Sequence, residues 1–271
     1  MPTEPSGSLP SDRPMTGTDS SVPHSARITN FWLGGKDHYA VDREAGERYL
    51  ATFPAIAEMA RSGREFLARA VAFLSAQGIR QYLDIGTGLP TADNTHELAQ
   101  RAAPESRIVY VDNDPMVLAH ARVLLTSTAE GAADYLDADL REPAAILRGA
   151  AEILDFEQPV ALMLMGIVGH IGDDEQLRDV LRELVGAVVP GSYLMIGDGT
   201  DLDPAQVQAQ EQYNEGGSPP YRLRSPEQLA SLFDGLELVE PGLVPAAHWR
   251  PGPDSTPYAE TISRCGIARK P

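Results

Sequence analysis

Apolar residues between Asp42 and Ala76 recur at spacings of three and four: Tyr49, Leu50, Phe53, Ile56 and Met59, then Phe66, Leu67, Ala70, Val71 and Leu74. That period lines them along one face of a helix. Pro54 has no amide hydrogen to give a helix interior, so two helices or one kinked helix are expected, stopped at Gly78. From Tyr82 onward, short apolar runs alternate with amphipathic stretches. Strands are predicted at Tyr82–Ile85, Arg107–Val111, Ala133–Leu136, Val160–Met165 and Ser192–Ile196, with helices at Ala92–Ala102, Pro115–Thr126, after Pro143, and at Asp173–Val188. This alternation predicts an α/β fold with a mostly parallel sheet and helices on both faces. After residue 200 the pattern changes. Helices at Pro204–Tyr213 and Pro226–Leu232 precede two strand-like segments, Leu236–Glu240 and Tyr258–Ala268, which suit a closing antiparallel hairpin. Residues 1–23 hold little that can be buried and read as a disordered arm, leaving 24–271 as one domain with an N-terminal helical extension.

Charge narrows the choice of partner. The chain of 271 residues carries 39 acidic and 22 basic residues, a formal net charge of -17. Nucleic acid and anionic membrane surfaces both repel such a molecule, so neither is expected as a partner. The only lysines are Lys36 and Lys270. A Tyr-x-x-x-Lys dehydrogenase pair is absent, and Gly35-Lys36 is followed by Asp37 where a phosphate-binding loop needs Ser or Thr. Cys265 is alone, which rules out a disulfide framework, and no set of His, Asp and Glu has metal-ligand spacing. The N-terminus does not read as a signal peptide, and the longest apolar stretch, Val160–Val168, is too short to span a bilayer. A soluble cytoplasmic protein is expected; a homo-oligomer is compatible with the sequence.

The sharpest motif is Tyr82-Leu-Asp84-Ile-Gly86-Thr87-Gly88-Leu-Pro90-Thr91. A strand that ends in a glycine turn and opens a helix suits a nucleotide cofactor. Glycine lets the backbone approach the ligand, and the helix start offers free N–H groups. A dinucleotide loop would place a third glycine at position 91, where this chain has Thr91. S-adenosyl-L-methionine has no pyrophosphate to cradle, and its cationic amino-acid end suits a carboxylate such as Asp84. At the next strand tip, Asp112 is placed to accept both ribose hydroxyls beside Asn113, while Asp114 suits the cap of the helix opening at Pro115. Capping alone would also explain the acids there. Asp139, after the third strand, is placed to accept from the adenine amino group, with Leu140 against the ring.

In this order and spacing, the three segments resemble a class I S-adenosylmethionine-dependent methyltransferase. The resemblance extends to a small bacterial family of S-adenosyl methyltransferases of uncharacterised substrate. It is carried by Ala26-Arg27-Ile-Thr-Asn30-Phe31-Trp-Leu-Gly34-Gly35-Lys36-Asp37-His38-Tyr39, Gly191-Ser192-Tyr193-Leu194, Leu238-Val239-Glu240-Pro241-Gly242-Leu243-Val244 and the Ala268-Arg269-Lys270 ending. Departures are Thr29, Asn30 and Trp32, and Gly197-Asp198-Gly199 where the family tends to Ser-His-Ala. The resemblance implies a Rossmann-like sheet of seven strands, the last antiparallel, with a helical cap at 24–78 folded over the cofactor.

On the acceptor side the residues are less specific. Gly166 and His170 follow the fourth strand, where this fold class presents the transferred methyl, and His170 has a pKa suited to removing a proton. A packed histidine is the plainer alternative. Asp198 is a second candidate base, Asp201 a third, and His248 and Trp249 are placed to line an acceptor pocket. Lys36, in a glycine turn, either holds the methionine carboxylate or merely pairs with Asp37. The expected activity is methyl transfer to a small-molecule acceptor through oxygen or nitrogen. The rivals are a non-catalytic cofactor-binding regulator and an NAD-dependent oxidoreductase.

Overall fold

The computed structural model describes residues 20–91, 93–124, 126–216, 218–252 and 263–271. Most of the arm expected at 1–23 therefore lies outside the described residues. Three helices come first: α1 (Ser25–Trp32), α2 (Ala40–Thr52) and α3 (Ile56–Ala76). The break between α2 and α3 falls at Pro54, as the missing amide hydrogen dictates. Helix α1 falls within the helical cap that the resemblance implies at 24–78, but the apolar pattern does not mark it, because only Ile28 among its apolar residues is fully buried and the inner face also holds Arg27 and Asn30. Asn30 closes the turn that follows. Its carbonyl accepts from Gly35 N at 2.8 Å and its side-chain oxygen accepts from Asp37 N at 3.0 Å. A Cβ on Gly35 would come within 2.4 Å of the Asn30 amide, so this close approach requires glycine.

The remaining chain runs β1 (Gln81–Ile85), α4 (Thr95–Ala102), β2 (Arg107–Asp112), α5 (Pro115–Leu124), β3 (Ala132–Asp137), α6 (Pro143–Ala150), β4 (Ala161–Met165), α7 (Asp174–Gly186) and β5 (Tyr193–Asp198). It ends with α8 (Pro204–Glu215), α9 (Pro226–Ala230), β6 (Glu237–Leu238) and β7 (Arg264–Arg269). The seven strands lie in the order β3-β2-β1-β4-β5-β7-β6. Strands β1 to β5 pair in parallel, β7 runs antiparallel to β5, and β6 pairs antiparallel with β7. The α/β, mostly parallel sheet is the one the alternation predicts, and its seven Rossmann-like strands are those the resemblance implies. The last strand begins at Arg264, and the expected strand residues 258–262 lie outside the described ones.

Side chains alternate across the strands, which sorts the core into two layers. Leu83, Ile85, Val109, Val111, Leu162, Leu164, Leu194 and Ile196 pack with Ile146 of α6 and Leu177, Leu181 and Leu184 of α7. Tyr82, Ile108, Tyr110, Ala161, Met163, Tyr193 and Met195 pack with Phe66, Ala70 and Leu74 of α3 and Ala99 of α4. The same parity aims the acids at the strand tips. Asp84 falls in register with Tyr82 and faces α3 and α4, whereas Asp198 follows Leu194 and Ile196 to the opposite face. Between β1 and β4 the strand order reverses direction, and a crevice opens there at the carboxyl ends.

Candidate active site

A cavity of about 440 Å³ fills that crevice, within the range of small-molecule and cofactor sites. Its wall includes Asp84, Gly86, Thr87, Gly88, Asp112, Asn113, Asp139, Leu140, Gly166, His170 and Asp198, contributed by five strand ends. Lys36 is not brought there; it sits exposed on the turn after α1, and Asp37 lies 3.5 Å from His120 of α5. Trp249 and His248 do not line the cavity either, which corrects their expected place at an acceptor pocket. Trp249 is fully buried, edge-on to Phe66 and Phe73 at 5.3 and 5.7 Å, because a large indole contributes most when packed in the core. Asp201 is exposed and borders a second cavity behind the segment Pro219–Leu223.

Burial pushes the Asp84 carboxyl up to about 6, and the Thr95 hydroxyl and the Arg64 guanidinium hold it from rising further. The hydroxyl of Thr95 donates to Oδ2 at 2.7 Å. Arg64 lies in the cavity wall on α3; its own pKa is lowered by burial, opposed chiefly by Asp84. Asp84 thus has one cation near it and open cavity beside it.

The glycine turn is built for close approach. Gly86 has φ 76°, donates to Val111 O at 2.8 Å, and would drive a Cβ to within 2.6 Å of Ile167. Gly88 has φ 69° with no atom nearer than 4.0 Å to a Cβ, so its backbone faces open space. Gly88 N donates to Asp112 Oδ2 at 2.9 Å and Asp114 N to Oδ1 at 3.0 Å. Burial raises the Asp112 pKa against these two amides. Each oxygen keeps a second lone pair for a ligand hydroxyl.

The helix after the turn begins later than the sequence suggests. Asn94 and Glu97 form a capping box that starts α4 at Thr95, and His96 N donates to the Tyr110 hydroxyl at 2.7 Å. Two of the N–H groups expected to be free at this helix start, those of His96 and Glu97, are therefore already engaged. Asp139 is also committed. Its two oxygens accept from Arg141 N, Nε and Nη2 and from Asn113 Nδ2 at 2.5–3.0 Å, and the Arg141 bonds draw its carboxyl down to about 2.

At the other end of the cavity, His170 Nδ1 lies 2.9 Å from Pro220 O and Nε2 3.1 Å from Ser25 Oγ. A carbonyl only accepts, so Nδ1 carries the hydrogen and Nε2 accepts from Ser25. Burial lowers the His170 pKa, which keeps the ring neutral at pH 7. Asp198 Oδ1 accepts from Gly199 N at 2.7 Å and from the Tyr221 hydroxyl, while burial pushes this carboxyl up to about 6. Its Oδ2 is buried without a hydrogen-bond partner, as is Gln206 Oε1.

Arg64, Thr95, Gln206 and Tyr221 stood out nowhere in the sequence. Thr95 alone had a local cue, the Asn94-Thr95-His96-Glu97 pattern of a capping box. A third set of charges ties α1 to the site. Arg27 Nε lies 3.5 Å from Asp42 of α2 and 3.4 Å from Asp114 at the start of α5, all three nearly inaccessible.

A sheet ordered 3-2-1-4-5-7-6, with an acid at each of the first strand ends and a glycine turn between them, defines a class I methyltransferase fold built for an adenosyl cofactor. The chain belongs to the S-adenosyl methyltransferase family, whose family model matches residues 11–271. It is an enzyme of that class, with S-adenosyl-L-methionine as its cofactor. The nicotinamide and non-catalytic readings fall away with this membership. The chain is similar to a DUF574 family protein from Streptomyces avermitilis, with 41% identity, a TM-score of 0.89, and coverage of 93% of this chain and 99% of that one. A methyltransferase candidate from Thermobifida fusca shares 38% identity at a TM-score of 0.88, covering 96% of this chain and 99% of its own. The mitomycin 7-O-methyltransferase MmcR shares the fold alone, at 15% identity and a TM-score of 0.51 over 90% of this chain and 71% of its own. Among curated proteins, none matches the chain. No helix of the described residues is long and apolar enough to cross a membrane.

Proposed function

We propose that the enzyme methylates a small-molecule acceptor, bound between the cofactor and the end of β5. What carries this reading is the division of one cavity into two chemically distinct ends. Asp84 and Asp112 flank the glycine turn, and Asp198 and His170 stand across Gly166 from them. In the cofactor half, Asp84 holds the ammonium of the amino-acid end and Asp112 the ribose hydroxyls. Arg64 takes the methionine carboxylate, a role that the exposed Lys36 is poorly placed to fill. Leu140 packs on the adenine, and Asp139 accepts from its amino group after Arg141 yields one oxygen. Arg141 is largely exposed, so breaking part of that pair costs only about 0–1 kcal/mol. Helices α1 to α3 act as the cap, since Ser25, Ile28 and Thr29 of α1, Tyr49 of α2 and Arg64 of α3 all line the cavity.

The bound cofactor supplies a methyl already activated on a sulfonium, so the protein mainly aligns an acceptor in line with it. Asp198 or the neutral His170 receives the acceptor's proton. The net charge of -17 favours a small molecule over nucleic acid as acceptor.

Calorimetry with S-adenosylmethionine, S-adenosylhomocysteine and NAD tests the cofactor half: the two adenosyl ligands should bind one per chain, and binding of NAD alone would overturn the reading. A panel of small-molecule amines, alcohols and phenols, screened for S-adenosylhomocysteine release, tests the acceptor half. Release with an RNA substrate instead would sink it.

A further inference from the structure

Buried side-chain oxygens of the cavity wall, those of Asp198, Gln206 and Tyr213, are left without hydrogen-bond partners. Asp198 is buried, and its Oδ2 and the Oε1 of Gln206 both lack partners. Gln206 reaches this place from α8, with its amide lying over Gly199, where a Cβ would come within 2.8 Å of Nε2. The Arg224 guanidinium, whose charge helps to hold down the Asp198 pKa, is bound elsewhere. Arg224 pairs with Asp174 at 2.9 Å and donates to the carbonyls of Val168 and Ile171. Among the described residues, the arginines of the cavity wall are Arg64, beside Asp84, and Arg141, on Asp139. A buried carboxylate oxygen left without a hydrogen-bond partner is unfavourable unless a ligand brings the missing donor.

We infer that the methyl acceptor is an amine, whose N–H groups meet Asp198 Oδ2 and Gln206 Oε1, and whose proton passes to Asp198. This rests on the methyl-transfer reading above and names its substrate class. An alcohol brings a single O–H and leaves one of the two oxygens unmet. A carboxylate ligand is repelled outright. Asp198 already lines the cavity, and a slight turn of its carboxyl presents Oδ2 to the ligand while Tyr221 stays on Oδ1. The ammonium gives one proton to Asp198. The freed nitrogen lone pair forms the N–C bond as the S–C bond breaks, its electrons leaving with sulfur, and the product departs as an N-methylammonium. Asp198 then returns its proton to solvent.

The test uses the full chain saturated with S-adenosylhomocysteine and calorimetry at pH 7.5. The probes are 2-phenylethylamine, the matched 2-phenylethanol and 3-phenylpropionate, and the n-alkylamines from butylamine to decylamine, chosen because Ile28, Trp32, Ile56 and Met59 make this end apolar. At least one amine should bind, with 2-phenylethylamine at least tenfold tighter than its alcohol and the carboxylate undetected. Asp198→Asn should weaken amine binding at least tenfold while S-adenosylhomocysteine affinity stays within twofold. The inference is overturned if the alcohol equals the amine, if no amine binds, or if the variant binds amine as the wild type does. The comparison among probes needs no variant, so it stands even if Asp198→Asn misfolds. Failure to bind S-adenosylhomocysteine at all would instead overturn the methyl-transfer reading.

Discussion

Thr95 Oγ1 donates to Asp84 Oδ2 at 2.7 Å, so the first residue of α4 fixes the carboxylate at the tip of β1. The bond orients Asp84 and opposes the rise in pKa that burial causes. Asp84→Asn removes the charge that meets an ammonium, and hydrogen bonds to charged groups are worth about 1.5–3 kcal/mol. Affinity for S-adenosylhomocysteine should fall roughly 10- to 100-fold by calorimetry. An unchanged dissociation constant would show that Asp84 does not touch the ligand.

The same pair sets a pH dependence. Asp84 must be ionised to hold a cation, and its carboxyl titrates at about 6, so cofactor affinity should decline as pH falls through that value. Thr95→Val removes the bond that lowers this pKa, while Arg64 and Asp112 remain. The midpoint should therefore move upward, which a calorimetric series from pH 5 to 8 would register. A downward move would contradict the assignment.

Asp198 makes a testable trade between folding and function. Burial raises its carboxyl to about 6, above the usual value of about 3.9, so the folded state holds the proton more tightly than the unfolded chain. Stability from this group is complete below the unfolded pKa and is lost as pH rises through about 6. At pH 7.5, Asp198→Asn should stabilise the ligand-free protein by about 1–3 kcal/mol. Thermal unfolding at pH 4.5 should show a smaller gain; an equal or larger one there would mean that the carboxylate is not the source.

Gly86→Ala meets two obstacles at once. The new Cβ would lie 2.6 Å from Ile167, and φ 76° is strained for any residue with a side chain. A loss of about 1–3 kcal/mol in stability is expected, with weaker cofactor binding. Adding Ile167→Ala should relieve the overlap but not the backbone strain, so recovery by thermal unfolding should be partial. Full recovery would place the whole cost in the side-chain contact.

Arg27 clamps α1 through two buried carboxylates, Asp42 and Asp114. Arg27→Met takes the guanidinium from both, leaving Asp114 with His24 at 3.1 Å, and removing one partner of such a buried group costs about 3–5 kcal/mol. Hydrogen exchange should quicken first across residues 25–37, with the sheet amides unaffected. Uniform acceleration through the sheet would indicate global destabilisation instead.

Much of this molecule was legible in its sequence because its strands are fully buried. Runs such as Leu83, Ile85, Val109 and Val111 can only belong to a covered sheet, and their spacing by helices dictates parallel pairing. The acids at the strand tips were legible for the same reason, since Asp84 and Asp112 interrupt apolar runs that otherwise continue. Long-range partners were not. Arg64 is one polar residue on an amphipathic helix, and nothing local says that its turn passes over β1. Tyr221 reaches Asp198, and Gln206 lies over Gly199, only because the chain folds back through α8 at the end of β5. Trp249 was misplaced for the opposite reason: a polar, proline-rich neighbourhood hid a residue that the core encloses.

The capped start of α4 has a consequence for competition within the nucleotide pool. A helix with two of its first amides taken by Asn94 and the Tyr110 hydroxyl has less to offer a phosphate. ATP and NAD carry the same adenosine as the cofactor, and their phosphates would arrive at a capped helix end beside two buried carboxylates. On the proposed placement of the cofactor, molecules that share its adenosine but carry phosphates should bind weakly here.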